Sequence, residues 1–206
     1  MLDSFLKQSK PMLYRRKETI TEADDFNRIF FLNQGYVRLY TISGEGAELT
    51  LHIFPPSSIF PILWTFEPEP NKYYFESLTP VEVYSCEKNK LRQLVAEKPD
   101  AGMEILQQLS SFSQSAIKKL EFKIFGGAYQ QIVAMILDLA ACFGKNEKES
   151  TIISYWFTHQ DIASLTGLSR ERVTIEINHL LNKKLIYYDN HFIAIPRLQL
   201  LRSEVE

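Results

Sequence analysis

The chain has 206 residues, enough for one large domain or two small ones, and its 45% hydrophobic and 23% charged residues lie near the averages of folded globular proteins. This composition excludes a disordered chain, a collagen-like protein and an array of many repeats. The formal net charge of −2 gives no overall attraction to nucleic acid, so any evidence for DNA binding must come from where individual charges lie.

The cysteine content and the hydropathy pattern both indicate a cytoplasmic protein. Cys86 and Cys142 lie far apart, and neither belongs to a Cys-x-x-Cys or Cys/His cluster that could form a disulfide framework, a zinc ribbon or an iron–sulfur site. Residues 1–10 lack the apolar core of a secretion signal. The most apolar run, 132–143, contains Asp138 and is too short to span a bilayer.

The N-terminal part of the chain is predicted to be a series of short strands. Segments 30–40 and 48–54 are rich in aromatic and β-branched residues, and the turn cluster at 43–46 between them predicts a hairpin. Segments 73–77 and 81–85 continue the pattern. Repeated short strands of this kind favour a small all-β barrel or roll.

A single long helix is predicted over residues 100–125, because apolar side chains recur there every three or four positions. These side chains form one narrow stripe: Ile105, Leu109, Phe112, Ala116, Leu120 and Ile124. The stripe either packs against the β domain of the same chain or pairs with the same helix of a second copy, and we expect the second arrangement, a homodimer. Gly126 and Gly127 then end the helix and indicate a domain boundary.

The second domain is predicted to begin with a buried helix over 128–142, a polar loop over 144–150 and a short strand over 151–156. Thr158 then caps a short helix, and Gly167 suits the left-handed residue that ends it. Ser169 caps another helix, whose buried face contains side chains at helical spacing.

Residues 183–195 follow as a tight β-hairpin. Any two short helices joined by a glycine turn share part of this pattern. The order of helix, glycine turn, helix and hairpin is nevertheless typical of a winged helix-turn-helix domain.

The second helix of this unit is expected to enter the major groove of DNA with its first turn. Arg170 can pair with guanine, Glu171 can accept a hydrogen bond from cytosine, and Ile175 can offer only an apolar contact such as one with a thymine methyl group. The predicted DNA-binding residues are Ser169, Arg170, Glu171, Arg172, Thr174, Ile175 and Asn178.

Residues 160–173, QDIASLTGLSRERV, resemble the signature of the CRP/FNR (cyclic AMP receptor protein) family of bacterial transcription regulators. The resemblance extends over nearly the whole chain and includes NQGYVRL at 33–39. It implies an α+β protein with a β-roll sensor resembling a cyclic-nucleotide-binding jelly roll at 1–98, a dimerisation helix at 99–125 and a winged helix-turn-helix domain at 126–206. It also implies double-stranded DNA, a second copy of the chain and RNA polymerase as partners.

The sequence departs from this family where an effector would bind. Cyclic nucleotide binders of the family carry a Gly-Glu pair and, about ten residues further on, an Arg-Ser/Thr pair; here those positions are Pro61-Ile62 and Asn71-Lys72. A carboxylate and a bidentate arginine are therefore missing, and we expect no binding of cyclic AMP.

No other effector is indicated by the sequence. The cysteine cluster of the oxygen-sensing branch is absent, and His52 is expected to be a strand residue rather than a heme ligand. The effector, if there is one, is therefore unknown. The candidate pocket residues are Phe60, Ile62, Trp64, Lys72 and Tyr74. The stretch 59–64 either fills the roll as core or lines an apolar pocket, and we expect core filling.

Two other classes of protein are weighed against a DNA-binding regulator. A barrel enzyme would need two or three histidines and a glutamate around a metal, and one barrel histidine cannot supply that set, so we expect neither an enzyme nor a metal site. The other alternative is a protein-interaction regulator that keeps the fold without specific DNA binding. The balanced charge of residues 158–206, with six basic and six acidic side chains, suggests this alternative.

Overall fold

The structure is a computed structural model that describes residues 5–7, 9–21, 28–64, 73–147 and 150–205. The chain divides into two compact units, Met1–Ala116 and Ile117–Glu206. The long helix begins in the first unit and ends in the second. None of the helices in the described part of the chain combines the length and apolar character that a membrane crossing requires.

The first unit is a β-roll of two antiparallel sheets. Their strand orders are β1-β8-β3-β6 and β2-β7-β4-β5. The strands are β1 Met12–Tyr14, β2 Thr19–Thr21, β3 Arg28–Gln34, β4 Val37–Ile42, β5 Glu48–Phe54, β6 Ile59–Phe60, β7 Tyr74–Ser77 and β8 Val81–Glu87. The predicted hairpin around 43–46 is confirmed, since β4 pairs with β5 from Val37 opposite Phe54 to Ile42 opposite Glu48.

The segment 30–40, predicted as one strand, is two strands separated at Gly35. This glycine has φ of +90°, a backbone conformation that disfavours every residue with a Cβ atom. A Cβ atom at this position would lie 2.3 Å from the carbonyl oxygen of Pro80. The close approach and the positive φ together require glycine, so the chain turns here and begins β4 in the second sheet.

Two helices follow the β-roll, α1 at Lys88–Glu97 and α2 at Pro99–Phe125. The first of these helices was not predicted from the sequence. Leu91 and Leu94 of α1 pack with Ala101 and Ile105 of α2 against the outer face of the sheet that contains β3, in one buried cluster. The predicted long helix is thus present, with its N-terminal half built into the core of the β-roll unit.

The second unit combines a helical core with a small sheet of order β11-β12-β10-β9. Its elements are α3 Ala128–Phe143, β9 Gly144–Glu147, β10 Ser150–Ile153, α4 His159–Thr166, α5 Arg170–Asn182, β11 Tyr187–Asp189, β12 Phe192–Ile195 and α6 Leu198–Arg202. The prediction of a loop over 144–150 was wrong for its first half. Backbone pairing of β9 with β10 outweighs the polar side chains there, all of which are exposed.

Replacing Gly35 with alanine is expected to destabilise the protein by more than about 2 kcal/mol, because the new methyl group meets the Pro80 carbonyl oxygen in a strained backbone conformation. Gly44→Ala is the matched control, since a Cβ atom at Gly44 has no neighbour within 4 Å. Thermal unfolding of both variants measures the difference. Equal midpoints for the two variants would contradict this assignment.

Candidate nucleic-acid interface and sensor core

Paired caps fix the start of α4. The Thr158 hydroxyl accepts a hydrogen bond from the Asp161 backbone N–H at 3.1 Å, and the Asp161 carboxylate accepts one from the Thr158 backbone N–H at 2.8 Å. Gly167 ends the helix with φ of +68° and donates its N–H to the Ala163 carbonyl oxygen at 2.7 Å. The predicted capping box and left-handed glycine are confirmed, and they define the turn that leads into α5.

Ser169 caps α5 by accepting the Arg172 N–H at 3.2 Å, as the sequence predicts. Glu171 lies in the first turn, where hydrogen bonds from its own backbone N–H and from the Ser169 hydroxyl lower the pKa of its carboxyl group. The side chain is therefore an ionised acceptor at the positive end of the helix.

The predicted DNA-binding residues lie on the exposed side of α5. Val173, Ile177 and Leu180 are buried on the inner side. Thr174 is half-buried, and Ile175 is 57% exposed. The remaining predicted side chains are all exposed: Ser169, Arg170, Glu171, Arg172 and Asn178.

Glu176 of α5, which was not predicted as a site residue, is buried at 4% exposure. Its Oε1 atom lies 2.7 Å from Nη2 of Arg172, one turn earlier, and its Oε2 atom lies 3.8 Å from Nδ1 of His179. Arg172 is therefore held in an ion pair within its own helix. The spacing of four residues between Arg172 and Glu176 is the signal that could have revealed this pair.

A second polar cluster fixes the end of the chain to the core of the unit. The Tyr129 hydroxyl donates to Oε2 of Glu204 at 2.6 Å, and Lys183 Nζ lies 2.7 Å from the same oxygen. The Lys183 ammonium group also lies 4.7 Å from the centre of the Tyr129 ring. The hydrogen bond between Lys183 and Glu204 lowers the pKa of the Glu204 carboxyl group and raises the pKa of the Lys183 ammonium group. These three residues are far apart in sequence, so no local pattern predicts the cluster.

The β11–β12 hairpin forms the wing. Asp189 is paired with Phe192, and Asn190 and His191 between them have φ of +46° and +73°, as a two-residue hairpin turn requires. Tyr187 and Tyr188 of β11 are both exposed. The wing thus presents two aromatic hydroxyl groups and a polar tip.

The candidate pocket residues that the structure describes belong to different packing clusters of the β-roll. Phe60 is fully buried and stacks between Phe30 and Phe75, with ring centres 5.5 and 5.2 Å apart. Ile62 is buried in the other cluster, with Leu91 and Leu94. The stretch 59–64 thus fills core at these two positions, in agreement with the expected alternative.

The other candidate pocket residues lie elsewhere. Trp64 packs at the edge of the aromatic cluster, with its ring 5.1 Å from that of Tyr73. Tyr74 faces away from the core, since its neighbour in the strand, Phe75, is fully buried there and side chains alternate along a strand. Tyr74 contacts Tyr40 instead, with ring centres 5.3 Å apart, and its place in an effector pocket stays a prediction. Lys72 lies outside the described residues.

The six residues of the predicted apolar stripe on the long helix differ in how far they are buried. Ile105 is buried at 3% exposure in the core of its own unit, and Leu109 and Phe112 pack against the two core clusters of the β-roll. The Phe112 ring also meets His52 edge to face at 4.8 Å. The β-roll therefore buries Ile105 and covers Leu109 and Phe112 in part, and a dimer contact at these three residues stays a prediction. Ala116, Leu120 and Ile124 are exposed.

Gln108 of α2 ties the helix to the loop before the 59–64 stretch. Its Oε1 atom accepts the Ile59 N–H at 3.0 Å, and its Nε2 atom donates to the Ser57 carbonyl oxygen at 3.2 Å. One side chain thereby satisfies a backbone donor and a backbone acceptor of the loop.

Comparison with known proteins agrees with this arrangement. Residues 11–98 match the cyclic nucleotide-binding domain, and residues 130–204 match the Crp-like helix-turn-helix domain. A CRP-like cAMP-activated global transcriptional regulator of Mycobacterium tuberculosis is 28% identical over 168 residues, which cover 81% of this chain and 75% of that protein.

Solved structures share the fold. A CRP/FNR-family transcriptional regulator from Thermus thermophilus superposes with a TM-score of 0.80 at 22% identity, covering 95% of this chain and 98% of that one. A c-di-GMP-responsive global regulator from Xanthomonas campestris gives 0.79 at 20% identity, covering 94% and 97%.

The β-roll, the long helix and the winged helix-turn-helix unit define a transcription regulator with a DNA-binding domain rather than an enzyme. The chain belongs to the CRP/FNR family.

Proposed function

We propose that this protein is a homodimeric, sequence-specific DNA-binding regulator that does not bind cyclic AMP. In this proposal residues 1–98 form the sensor, 99–125 form the dimerisation helix, and 126–206 form the DNA-binding domain. The observation that carries the proposal is the exposed first turn of α5, where Arg170 and Glu171 lie outward while Val173 anchors the helix from the inner side. RNA polymerase as a partner and a cytoplasmic location follow from the family resemblance and belong to the same proposal.

A revised seam on α2 supports dimerisation. Exposed residues recur along this helix at alternating spacings of three and four, the heptad pattern of a two-stranded coiled coil. They are Met103, Leu106, Ser110, Ser113, Ile117, Leu120 and Ile124. The apolar members at the two ends are strongly exposed, with Leu106 at 58% and Ile117 at 66%. A second copy of the same helix would cover this face, while within the first unit Ala101 and Ile105 of α2 pack against the β-roll.

Leu120→Glu is expected to yield monomers, because a parallel seam would place two carboxylates against each other in a desolvated contact. Ser111→Glu is the matched control, since Ser111 is exposed on the same helix about 130° from the seam. Light scattering gives the mass of each variant. A dimeric Leu120→Glu protein, or a control that also dissociates, would contradict the seam.

The lack of cyclic AMP binding rests on the residues at the expected effector positions. Ile62, at the place of the family's carboxylate, is 5% exposed and packs among aliphatic side chains. Neither a ribose hydroxyl nor a phosphate would find its polar partner there, and unpaired buried polar groups are costly. The relatives named above respond to cyclic AMP in one case and to c-di-GMP in another, so family membership alone assigns no effector.

Calorimetry with cyclic AMP is expected to show no binding heat at micromolar protein. The same protein sample serves as its own activity control if it retains binding to duplex DNA. Micromolar affinity for cyclic AMP together with strengthened DNA binding would overturn this part of the proposal.

The competing function is a protein-interaction regulator without specific DNA binding. The Arg172–Glu176 ion pair favours it, because one of the two cations at the start of α5 is already engaged. A salt titration separates the two functions. Phosphate contacts give a steep loss of duplex affinity with rising salt, whereas the competing function predicts no duplex binding at any salt concentration.

Base recognition by α5 predicts a two-fold symmetric operator with half-sites about one helical turn (~34 Å) apart. Arg170 retains the option of a bidentate contact to guanine, whereas Ile175 favours a thymine methyl group. Arg170→Ala is therefore expected to cost about 1–3 kcal/mol and to relax specificity at one base. Ile175→Arg is expected to shift the preference at its base towards guanine.

Selection of binding sites from random DNA checks both variants against the wild type. Arg202→Ala is the control, because Arg202 is an exposed arginine on α6, outside the recognition helix. It is expected to leave the selected motif unchanged. Identical selected motifs for the wild type and all three variants would show that α5 takes no part in base recognition.

A further inference from the structure

His159, the first residue of α4, contacts two other elements of the second unit. Its Nδ1 atom lies 2.8 Å from the Thr174 hydroxyl oxygen on α5. Its Nε2 atom lies 3.3 Å from the Tyr188 hydroxyl oxygen on β11. A single half-buried imidazole therefore bridges the recognition helix and the wing.

Donor counting fixes the direction of these hydrogen bonds. The Thr174 hydroxyl donates its only proton to the Arg170 carbonyl oxygen at 2.9 Å, so towards His159 it can only accept. Nδ1 must then carry the imidazole proton. In the neutral ring Nε2 is an acceptor, and the Tyr188 hydroxyl donates to it. The resulting chain runs from Tyr188 through His159 and Thr174 to the Arg170 carbonyl group.

The two ends of this hydrogen-bond chain, Tyr188 and the Arg170 carbonyl group, lie on the two elements proposed to approach DNA. Arg170 and Thr174 lie one turn apart on α5, and Tyr188 is 42% exposed on the wing. In winged helix-turn-helix proteins the register on DNA is set by contacts to phosphates, so the relative placement of helix and wing affects affinity. His159 contacts both of these elements within this unit.

The surroundings of His159 disfavour its charged form. Burial lowers the pKa of the imidazole, and the Arg170 guanidinium on α5 lowers it further. Tyr188 faces the ring from the wing as a neutral phenol. Asp161 on the same helix has its carboxylate bound to Thr158. A DNA phosphate close to His159 would place a negative charge near the imidazole ring and would therefore favour its protonated form.

We propose that His159 is a positioning residue for DNA binding, which joins the wing to the recognition helix as a neutral ring and takes up a solvent proton at Nε2 when DNA binds. The new Nε2–H then donates to the Tyr188 oxygen, and the Tyr188 O–H is released to donate to a phosphate oxygen. The inference rests on the proposed function, in which α5 and the wing contact DNA. It adds a proton-linked contact that neither element supplies alone.

The first test uses the full chain without DNA. Nitrogen-15 NMR of the histidine rings reports the tautomer of His159, and a pH titration reports its pKa. We expect the proton on Nδ1 and a pKa below the ordinary value of about 6.5. A neutral ring with its proton on Nε2 would overturn the hydrogen-bond chain, whatever the protein binds.

The second test measures affinity for the selected operator duplex from pH 8 to pH 6 at constant salt. Because binding raises the pKa of His159, affinity increases as the pH falls through the pKa of the complex and levels off below the pKa of the free protein. The gain is about tenfold for each unit by which the two pKa values differ.

Two variants and a control isolate the residue. His159→Ala is expected to weaken binding across the pH range. His159→Gln is expected to recover part of that loss, since an amide can donate to Thr174 and accept from Tyr188, but to lack the pH response. His179→Gln is the control and is expected to keep the pH response. The His179 ring lies against the Tyr129 ring, with ring centres 4.8 Å apart, and takes no part in the hydrogen bonds between Tyr188, His159 and Thr174.

The outcomes separate the two proposals. A wild type that binds no duplex refutes the proposed function. A wild type that binds with a flat pH profile, or a His159→Gln variant with the wild-type profile, refutes the inference about His159 while leaving DNA binding intact.

Discussion

The packing of α2 against the β-roll is the constraint on which the proposed assembly depends. Ala101 and Ile105 are part of the core of the first unit, and Gln108 adds two hydrogen bonds to the loop that precedes the aromatic core. These contacts fix the rotation of the helix about its axis. With that rotation set, Met103 and Leu106 are exposed in the first unit, and Ile117, Leu120 and Ile124 continue the same heptad pattern as exposed residues of the second unit.

Helical periodicity predicted the long helix but could not choose between its two stripes. The stripe that contains Ile105 and the one that contains Leu106 both repeat every three or four residues, so both satisfy the same pattern. The choice depends on which stripe meets the β-roll, and that contact joins residues distant in sequence. Caps were predictable because they act within a few residues, as Thr158 and Gly167 show. The β9 strand was missed because its pairing with β10, and not its own composition, defines it.

The balanced charge of residues 158–206 is compatible with DNA binding once their ion pairs are assigned. Lys183 is paired with Glu204, and Arg172 with the buried Glu176. These acids neutralise cations that hold α5 and the end of the chain in place. Counting charges along the sequence therefore mixes structural pairs with groups such as Arg170, which lies exposed at the start of α5. Only exposed cations outside these structural pairs, such as Arg170, bear on binding to DNA phosphates.

The core of the β-roll is likewise built from contacts between residues that are distant in sequence. Family resemblance points to an effector site near 59–64, yet Phe60 joins a stack with Phe30, Phe54 and Phe75, and Ile62 packs under α1. A phenyl ring and an alkyl side chain cannot hydrogen-bond a nucleotide, so Phe60 and Ile62 could supply apolar contacts only. The same stretch begins at Ile59, whose N–H is bound by Gln108. Gln108 therefore connects this stretch directly to α2, the helix that carries the proposed seam, so the proposed sensor and the proposed dimer contact share one element.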